Sequence, residues 1–139
     1  MRTLAFLFLF GAAGITNAAD DKKDVKAVDT RVFEMRTYYA APGKMKDLHA
    51  RFRDHTCKLF EKHGITLIGF WSPTKPEDAE QKIIYVLAYP NKEAAEKSWK
   101  EFMADPYWKA AQKKSEENGK LVSKVESVYM NPTDYSPLK

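Results

Sequence analysis

The chain has 139 residues and a formal net charge of +4, and 44% of its residues are hydrophobic. This length supports one domain, and this apolar content excludes a disordered or collagen-like chain. Basic and acidic residues are interspersed along the sequence, so we predict no nucleic-acid partner. The sequence contains one cysteine, Cys57. This excludes an intramolecular disulfide and a cluster of cysteine metal ligands.

The first 19 residues have the three-part plan of a secretory signal peptide. A positively charged residue near the amino terminus, Arg2, is followed by an apolar run from Leu4 to Ile15 and then by small residues. The run is shorter than the roughly 20 residues that a spanning helix needs. We therefore expect residues 1–19 to be a signal peptide, with no stable membrane span after cleavage, and a periplasmic or secreted protein. The alternative is a membrane-associated start that is never cleaved. The charged residues 20–30 are expected to form a flexible leader.

Four segments rich in β-branched and aromatic residues predict four strands. They are Arg31 to Ala40, Ile65 to Ser72, Lys82 to Tyr89 and Leu121 to Met130. The third segment is a nearly continuous apolar run. Such a run is typical of a strand that is buried on both faces, so we expect the third strand to be central.

Apolar residues at intervals of three and four predict two helical segments, 44–63 and 91–117. Asn91 is a good N-cap for the second segment, and Asp105-Pro106 predicts that this segment stops and restarts. The order β-α-β-β-α-β is that of an α+β, ferredoxin-like fold, in which strands one and three are central. Helices on one face of a single sheet leave the other face bare. A second copy of the sheet is the simplest cover, so we expect a homodimer.

Strand alternation predicts a candidate ligand site. Glu34, Arg36 and Tyr38 share one face of the first strand, and Tyr85 stands on the third. If this face lines a barrel between two sheets, a carboxylate, a guanidinium and phenols converge in a mostly apolar cavity, as in many small-molecule pockets. Arg36 would hold a carboxylate or another planar anion. Glu34 would neutralise Arg36, or accept a proton if burial raises its pKa. The alternative is an ion pair of Glu34 and Arg36 at the dimer interface, with no ligand.

The histidines do not predict a metal site. His49, His55 and His63 lie on the first predicted helix at spacings of six and eight residues, which do not place two ligands over one metal. We therefore predict no metal and no cofactor. His63 is interpreted as a helix-terminal residue and Cys57 as a structural cysteine. The aromatic residues of the second helical segment, including Trp99, are interpreted as core.

Short motifs along the chain resemble the NIPSNAP family. In chain order they are Glu34-x-Arg36-x-Tyr38, Pro42-Gly43, His63-Gly64, Gly69-Phe70-Trp71, Asp105-Pro106-x-Trp108 and Asn131-Pro132-Thr133-x-Tyr135-Ser136-Pro137. The resemblance covers about residues 31–137, which we take as one NIPSNAP-like domain. It implies a dimeric α+β barrel, in which two ferredoxin-like protomers place their sheets face to face.

The resemblance does not by itself imply a reaction. The family is similar in fold to cofactor-free monooxygenases and haem-degrading enzymes, but its own activity is not settled. Its members commonly carry a histidine on strand three where this chain has Tyr85, which argues against chemistry that uses that histidine as a base. Three hypotheses stay open. In the first, the protein is a secreted dimeric barrel that binds a small apolar or anionic ligand between its sheets. In the second, it is a metal-free monooxygenase-like or isomerase-like enzyme that uses Glu34, Arg36 and Tyr85. In the third, it is a structural or interaction dimer.

Overall fold

The computed structural model describes residues 31–139, so the predicted signal peptide and leader lie outside the described residues. The four strands are β1 (Val32–Ala40), β2 (Thr66–Trp71), β3 (Lys82–Tyr89) and β4 (Val122–Met130). The helices are α1 (Met45–Arg51), α2 (Cys57–Lys62), α3 (Pro76–Ala79), α4 (Lys92–Ala104) and α5 (Pro106–Ser115). A π-helical turn, Phe52–Thr56, joins α1 to α2. We call α1, this turn and α2 together the first helix. Within residues 31–139, no helix has the length and apolar character needed to cross a membrane.

The strands form one antiparallel sheet in the order β2-β3-β1-β4. The predicted element order and the central place of strands one and three are therefore confirmed. In the pairing of β1 with β3, Glu34 lies opposite Leu87 and Arg36 lies opposite Tyr85. Directly opposed residues share a face of a sheet, so the predicted site residues do stand on one face.

The helices cover the face that carries Glu34. The ring of Tyr85 lies 5.3 Å from that of Phe52 and 6.2 Å from that of Phe60, both on the first helix. Trp99 of α4 forms a hydrogen bond with Glu34. We call this side of the sheet the helix face. The opposite side, which we call the open face, carries Phe33, Met35, Ile84, Val86 and Val128.

The condition that the face of Glu34 and Arg36 lines a space between two sheets is therefore not met. The same observation removes the alternative of an ion pair at an interface between sheets. Alternation shows which residues share a face, but it does not show which face the helices cover. The helices pack where the largest apolar side chains of β3 stand, since this contact removes the most apolar surface from water. Those side chains are Ile83, Tyr85, Leu87 and Tyr89, and all four are buried.

The first helix contains a π-helical turn that the sequence pattern did not predict. Buried residues recur at four-residue steps through Leu48, Phe52, Thr56 and Phe60. A regular α-helix turns about 100° per residue, so each four-residue step overshoots a full turn by about 40°. The extra residue of a π-helical turn takes back about 100°, which keeps all four side chains directed at the sheet. Thr56 Oγ1 donates to the carbonyl of Arg51 at 3.2 Å within this turn.

The predicted break between α4 and α5 is confirmed. Asn91 Oδ1 accepts a hydrogen bond from the Ala94 backbone N–H at 2.8 Å and caps α4. Asp105 Oδ1 accepts one from the Tyr107 N–H at 2.7 Å, and Pro106 follows as the first residue of α5. The short helix α3 was not predicted. It is one helical turn with Pro76 at its start.

Candidate functional site

A buried carboxylate stands at the centre of the helix face. Oε1 of Glu34 accepts hydrogen bonds from Arg36 Nη1 and Ser127 Oγ, each at 2.6 Å. Oε2 accepts from the Tyr89 hydroxyl and Trp99 Nε1, each at 2.7 Å. These donors come from β1, β3, β4 and α4, so one side chain connects three strands to a helix. With four donors, both oxygens of Glu34 are fully engaged.

The donors around Glu34 determine its charge. Burial alone raises the pKa of Glu34. The hydrogen bonds from Ser127, Tyr89 and Trp99, together with the positive charge of Arg36, outweigh that effect and place the pKa below its ordinary value. Glu34 is therefore an ionised carboxylate at neutral pH. The condition under which it would accept a proton, a pKa raised by burial, is not met.

Arg36 is the partly accessible member of the ion pair. Its side chain is 17% exposed, against 1% for Glu34. Nη1 is used by Glu34, whereas Nε is buried and has no hydrogen-bond partner among the described residues. The guanidinium carbon lies 4.2 Å from the centroid of the Trp99 ring and 5.6 Å from that of Tyr38. The indole thus covers the guanidinium, and Nε forms no hydrogen bond within the described residues.

Tyr85 is the second buried group with an unused polar atom. Its hydroxyl has no hydrogen-bond partner of good geometry in the part of the chain that is described. Burial and the neighbouring Tyr38 raise the pKa of Tyr85 well above its ordinary value, so the phenol keeps its proton. Its ring lies 5.3 Å from that of Tyr38, and its Cα is paired with that of Arg36. Tyr85 therefore holds an O–H donor at the strand position opposite Arg36.

The site opens toward β4. Val125, Ser127 and Tyr129 stand on the helix face of this edge strand, because they lie opposite Tyr38, Arg36 and Glu34 of β1. All three are exposed although they share a face with the core. The helices thus leave the β4 side of the helix face uncovered.

All four predicted site residues, Glu34, Arg36, Tyr38 and Tyr85, meet within one protomer. The sequence analysis missed Trp99, Tyr89 and Ser127 as partners of Glu34. Alternation already placed Tyr89 on the face of Tyr85, which was a usable signal. Trp99 was interpreted as core. Its ring does pack in the core, 5.3 Å from that of Phe60, but its N–H also donates a hydrogen bond to Glu34. No feature of the sequence pattern indicated that Ser127 would be a hydrogen-bond partner of Glu34.

A second polar cluster joins two of the sequence motifs. Oδ2 of Asp105 lies 2.7 Å from His63 Nε2 and accepts a hydrogen bond from Lys62 Nζ at 2.7 Å. These bonds lower the pKa of Asp105 below its ordinary value. His63-Gly64 at the end of the first helix and Asp105-Pro106 between α4 and α5 are thus tied by one carboxylate. This cluster fixes how the two helical segments meet above the sheet.

Comparison with solved structures finds the same fold in bacterial proteins. A NIPSNAP family protein from Agrobacterium tumefaciens superposes with a TM-score of 0.68 at 21% identity, covering 78% of this chain and 99% of that one. A NIPSNAP domain protein from Burkholderia xenovorans gives 0.64 at 22% identity, covering 76% and 98%. A NIPSNAP-like domain protein from the same species gives 0.67 at 16% identity, covering 78% and 90%.

A search among curated proteins finds no match. The sequence model of the NIPSNAP family, in contrast, matches residues 33–137, which is most of the chain and spans all four strands. With the sheet order, the motifs and this match in agreement, the chain belongs to the NIPSNAP family.

Proposed function

We propose that this protein is a periplasmic or secreted homodimer that binds a small molecule with a carboxylate or similar planar anionic head at Arg36, inside each protomer. One observation carries the proposal. Two buried hydrogen-bond donors, Arg36 Nε and the Tyr85 hydroxyl, have no hydrogen-bond partner of good geometry among the described residues, and their residues are paired across β1 and β3. Buried polar groups in proteins are nearly always paired, so two adjacent unpaired donors point to an acceptor that comes from outside the chain.

The geometry of Arg36 favours a planar anion. A guanidinium offers two edges with paired N–H groups, and Glu34 uses Nη1 only. The edge formed by Nε and Nη2 therefore remains for a second acceptor. A carboxylate matches this edge with two parallel hydrogen bonds, which a single-point cation cannot offer. The permanently ionised Glu34 keeps Arg36 in place when no ligand is bound.

The surroundings of Arg36 favour a ligand whose body is apolar. Tyr38 packs on Tyr85 and on Phe52 at 5.6 Å, so the inner wall is aromatic. Val125 and Tyr129 extend this wall to the surface at β4. Small-molecule sites usually combine apolar surroundings with a few converging donors, and these side chains supply both. We therefore expect an aromatic or aliphatic acid.

The open face supports the homodimer. Met35 and Val86 are only half-buried there, and Val128 and Trp71 are 51% and 52% exposed. Contiguous exposed apolar surface of this kind marks an interaction site. A second copy that places its own open face against it would bury the same residues on both sides, as a two-fold interface requires. The signal-peptide pattern in residues 1–19 supports export.

Binding without turnover fits this site better than catalysis. The enzyme hypothesis needs a proton acceptor near pH 7, and the one carboxylate in the site already accepts four hydrogen bonds in its ionised form. The buried phenol of Tyr85 is a donor and not a base. No group in this part of the described chain is poised to remove a proton from a ligand.

The binding proposal is tested with benzoate as the probe, by calorimetry on the mature protein. We expect Arg36→Lys and Tyr85→Phe each to weaken benzoate binding by about tenfold or more, because each removes one hydrogen bond to a charged group. The matched control is Arg53→Lys, an exposed arginine on the first helix, which should leave binding unchanged. Native mass spectrometry of protein purified from its own source would show a retained acid. Equal binding by all three variants, or no ligand by either method, would refute the proposal.

A further inference from the structure

The C-terminal tail, residues 131–139, forms one side of a cavity on the open face, and this cavity is partly open to solvent. Its volume is about 350 Å³. The sheet contributes Phe33, Ile68, Trp71 and Val86, and the tail contributes Pro132 and Leu138. The sheet separates this cavity from Arg36, which is on the helix face. Nothing in the proposed carboxylate site uses any of these residues.

Within the described residues, the tail forms hydrogen bonds between its own groups. The Ser136 N–H donates to the Thr133 carbonyl at 3.0 Å, and Ser136 Oγ donates to the Leu138 carbonyl at 2.6 Å. Lys139 Nζ donates to the Asp134 carbonyl at 2.8 Å. These bonds make the tail a preformed turn, and apolar contact around the cavity is what holds the turn against the strands. A segment held in this way can lift and return without breaking the sheet ladder.

The cavity has the size and chemistry of an apolar ligand site. Its volume falls within the range of about 300–1,000 Å³ that is typical of small-molecule pockets. Apolar side chains form the sheet wall, and among residues 31–139 no charged side chain lines the cavity. Asn131, Thr133 and Ser136 place polar groups on the tail side only. Trp71 is half exposed at the mouth, so the cavity communicates with solvent beside the tail.

We infer that the tail is the lid of a second site, which binds a small uncharged apolar molecule against the open face. All of the walls come from one chain, so the site exists in a protomer and does not depend on the carboxylate site. In the proposed homodimer, the tail and its cavity lie where the two open faces approach each other. A second copy whose side chains fill the cavity is the competing occupant, and the experiment separates the two.

The probe is N-phenyl-1-naphthylamine, which is uncharged at neutral pH and fluoresces when it leaves water. We expect it to bind the mature protein and to quench Trp71. Val86→Trp fills the cavity and should weaken binding by about tenfold or more. Lys97→Trp is the matched control, since Lys97 is exposed on α4 and lines neither the cavity nor the open face, and it should bind like the unchanged protein. Arg36→Lys should also bind the probe normally, which separates this inference from the carboxylate site.

The lid is tested by ending the chain after Thr133. We expect faster release of the probe, with an unchanged far-ultraviolet circular dichroism spectrum. If this variant does not fold, Leu138→Ser gives the same test with a smaller change and should also speed release. Three results would overturn the inference: no probe binding by the folded protein, equal binding by Val86→Trp and Lys97→Trp, or a Val86→Trp protein that loses its dimer while it keeps its affinity for the probe. The last result would assign the cavity to the second copy.

Discussion

Trp99 Nε1 donates a hydrogen bond to Glu34 Oε2 over 2.7 Å, while the same indole lies 4.2 Å from the guanidinium carbon of Arg36. One side chain of α4 thus contacts both members of the buried ion pair on β1. The position of α4 above the sheet and the position of Arg36 are therefore coupled. Substitutions around Glu34 should report on this coupling.

Two tyrosines on the same face of β3 should respond differently to loss of the hydroxyl group. Tyr89→Phe removes a donor to the ionised Glu34, and we expect it to lower the free energy of unfolding by about 1.5–3 kcal/mol. Tyr85→Phe removes a buried hydroxyl that has no partner of good geometry in the described chain, and should be neutral or stabilising. Urea unfolding of both variants in the absence of ligand makes the comparison. Equal destabilisation would show that the Tyr85 hydroxyl is bonded in solution.

Removal of the Arg36 side-chain charge should leave the buried carboxylate of Glu34 without a counter-ion. We expect Arg36→Met to lower the free energy of unfolding by about 3–5 kcal/mol, because Glu34 loses its counter-ion while it stays buried. In a simple ion pair, replacing both residues with apolar ones restores most of that loss. Here the double variant Glu34→Leu, Arg36→Met would leave the donors of Ser127, Tyr89 and Trp99 without an acceptor.

We therefore expect the double variant to remain strongly destabilised in urea unfolding. Adding Tyr89→Phe to it should recover part of the loss, because that change removes one of the unpaired donors. Full recovery in the double variant alone would mean that the three remaining donors are satisfied elsewhere.

The cluster of Asp105, Lys62 and His63 should stabilise the protein against acid. The hydrogen bonds from Lys62 and His63 place the pKa of Asp105 below its ordinary value of 3.8. A carboxyl group whose pKa is lowered in the folded state contributes stability above its unfolded pKa and loses it as the pH falls further. Asp105→Asn removes this contribution but keeps a good N-cap.

The free energy of unfolding of the natural protein should accordingly fall more steeply than that of Asp105→Asn between about pH 4 and pH 2. Guanidinium unfolding at a series of pH values measures both slopes. Glu34 is present in both proteins, so its own titration cancels in the comparison. Parallel slopes would show that Asp105 does not carry this pH dependence.

The proposed dimer makes a prediction for two valines of β4. Val125 and Val128 are 41% and 51% exposed and stand on opposite faces of the same strand. Val128→Lys places a charge on the open face and should give a monomer in sedimentation velocity. Val125→Lys places the same charge on the helix face and should sediment like the natural protein. A dimer with Val128→Lys, or a monomer with Val125→Lys, would contradict an interface through the open face.

The sequence was sufficient to predict the order of the elements, because each strand and helix has its own periodicity and its own end signals. Lys82–Tyr89 was predicted at its observed bounds, because a short, nearly continuous apolar run between two turns is typical of a buried strand. The face that the helices cover was not predictable in the same way. Both faces of β1 and β3 carry apolar side chains, and the choice depends on how well the helices fit each face.

The partners of Glu34 were hidden for a related reason. Trp99 and Ser127 are 65 and 93 residues away from Glu34 in sequence. Local periodicity can assign a tryptophan to the buried side of a helix, but it contains no information on which distant carboxylate receives the indole N–H. The predicted cluster of Glu34, Arg36, Tyr38 and Tyr85 was found because alternation and strand pairing are short-range rules that act within the sheet.

The π-helical turn at Phe52–Thr56 holds one residue more than a regular helix of the same phase would need. Ahead of it, α1 contributes Met45 and Leu48 to the core, and beyond it α2 contributes Phe60, which packs on Trp99. Deleting one residue inside the turn would leave a regular α-helix in which Leu48 and Phe60 stand eleven residues apart, about 20° from three full turns. Phe60 would then still face the sheet, and Trp99 would keep this neighbour of its ring. We therefore expect that relatives one residue shorter at this turn have a regular first helix with the same side chains directed at the sheet.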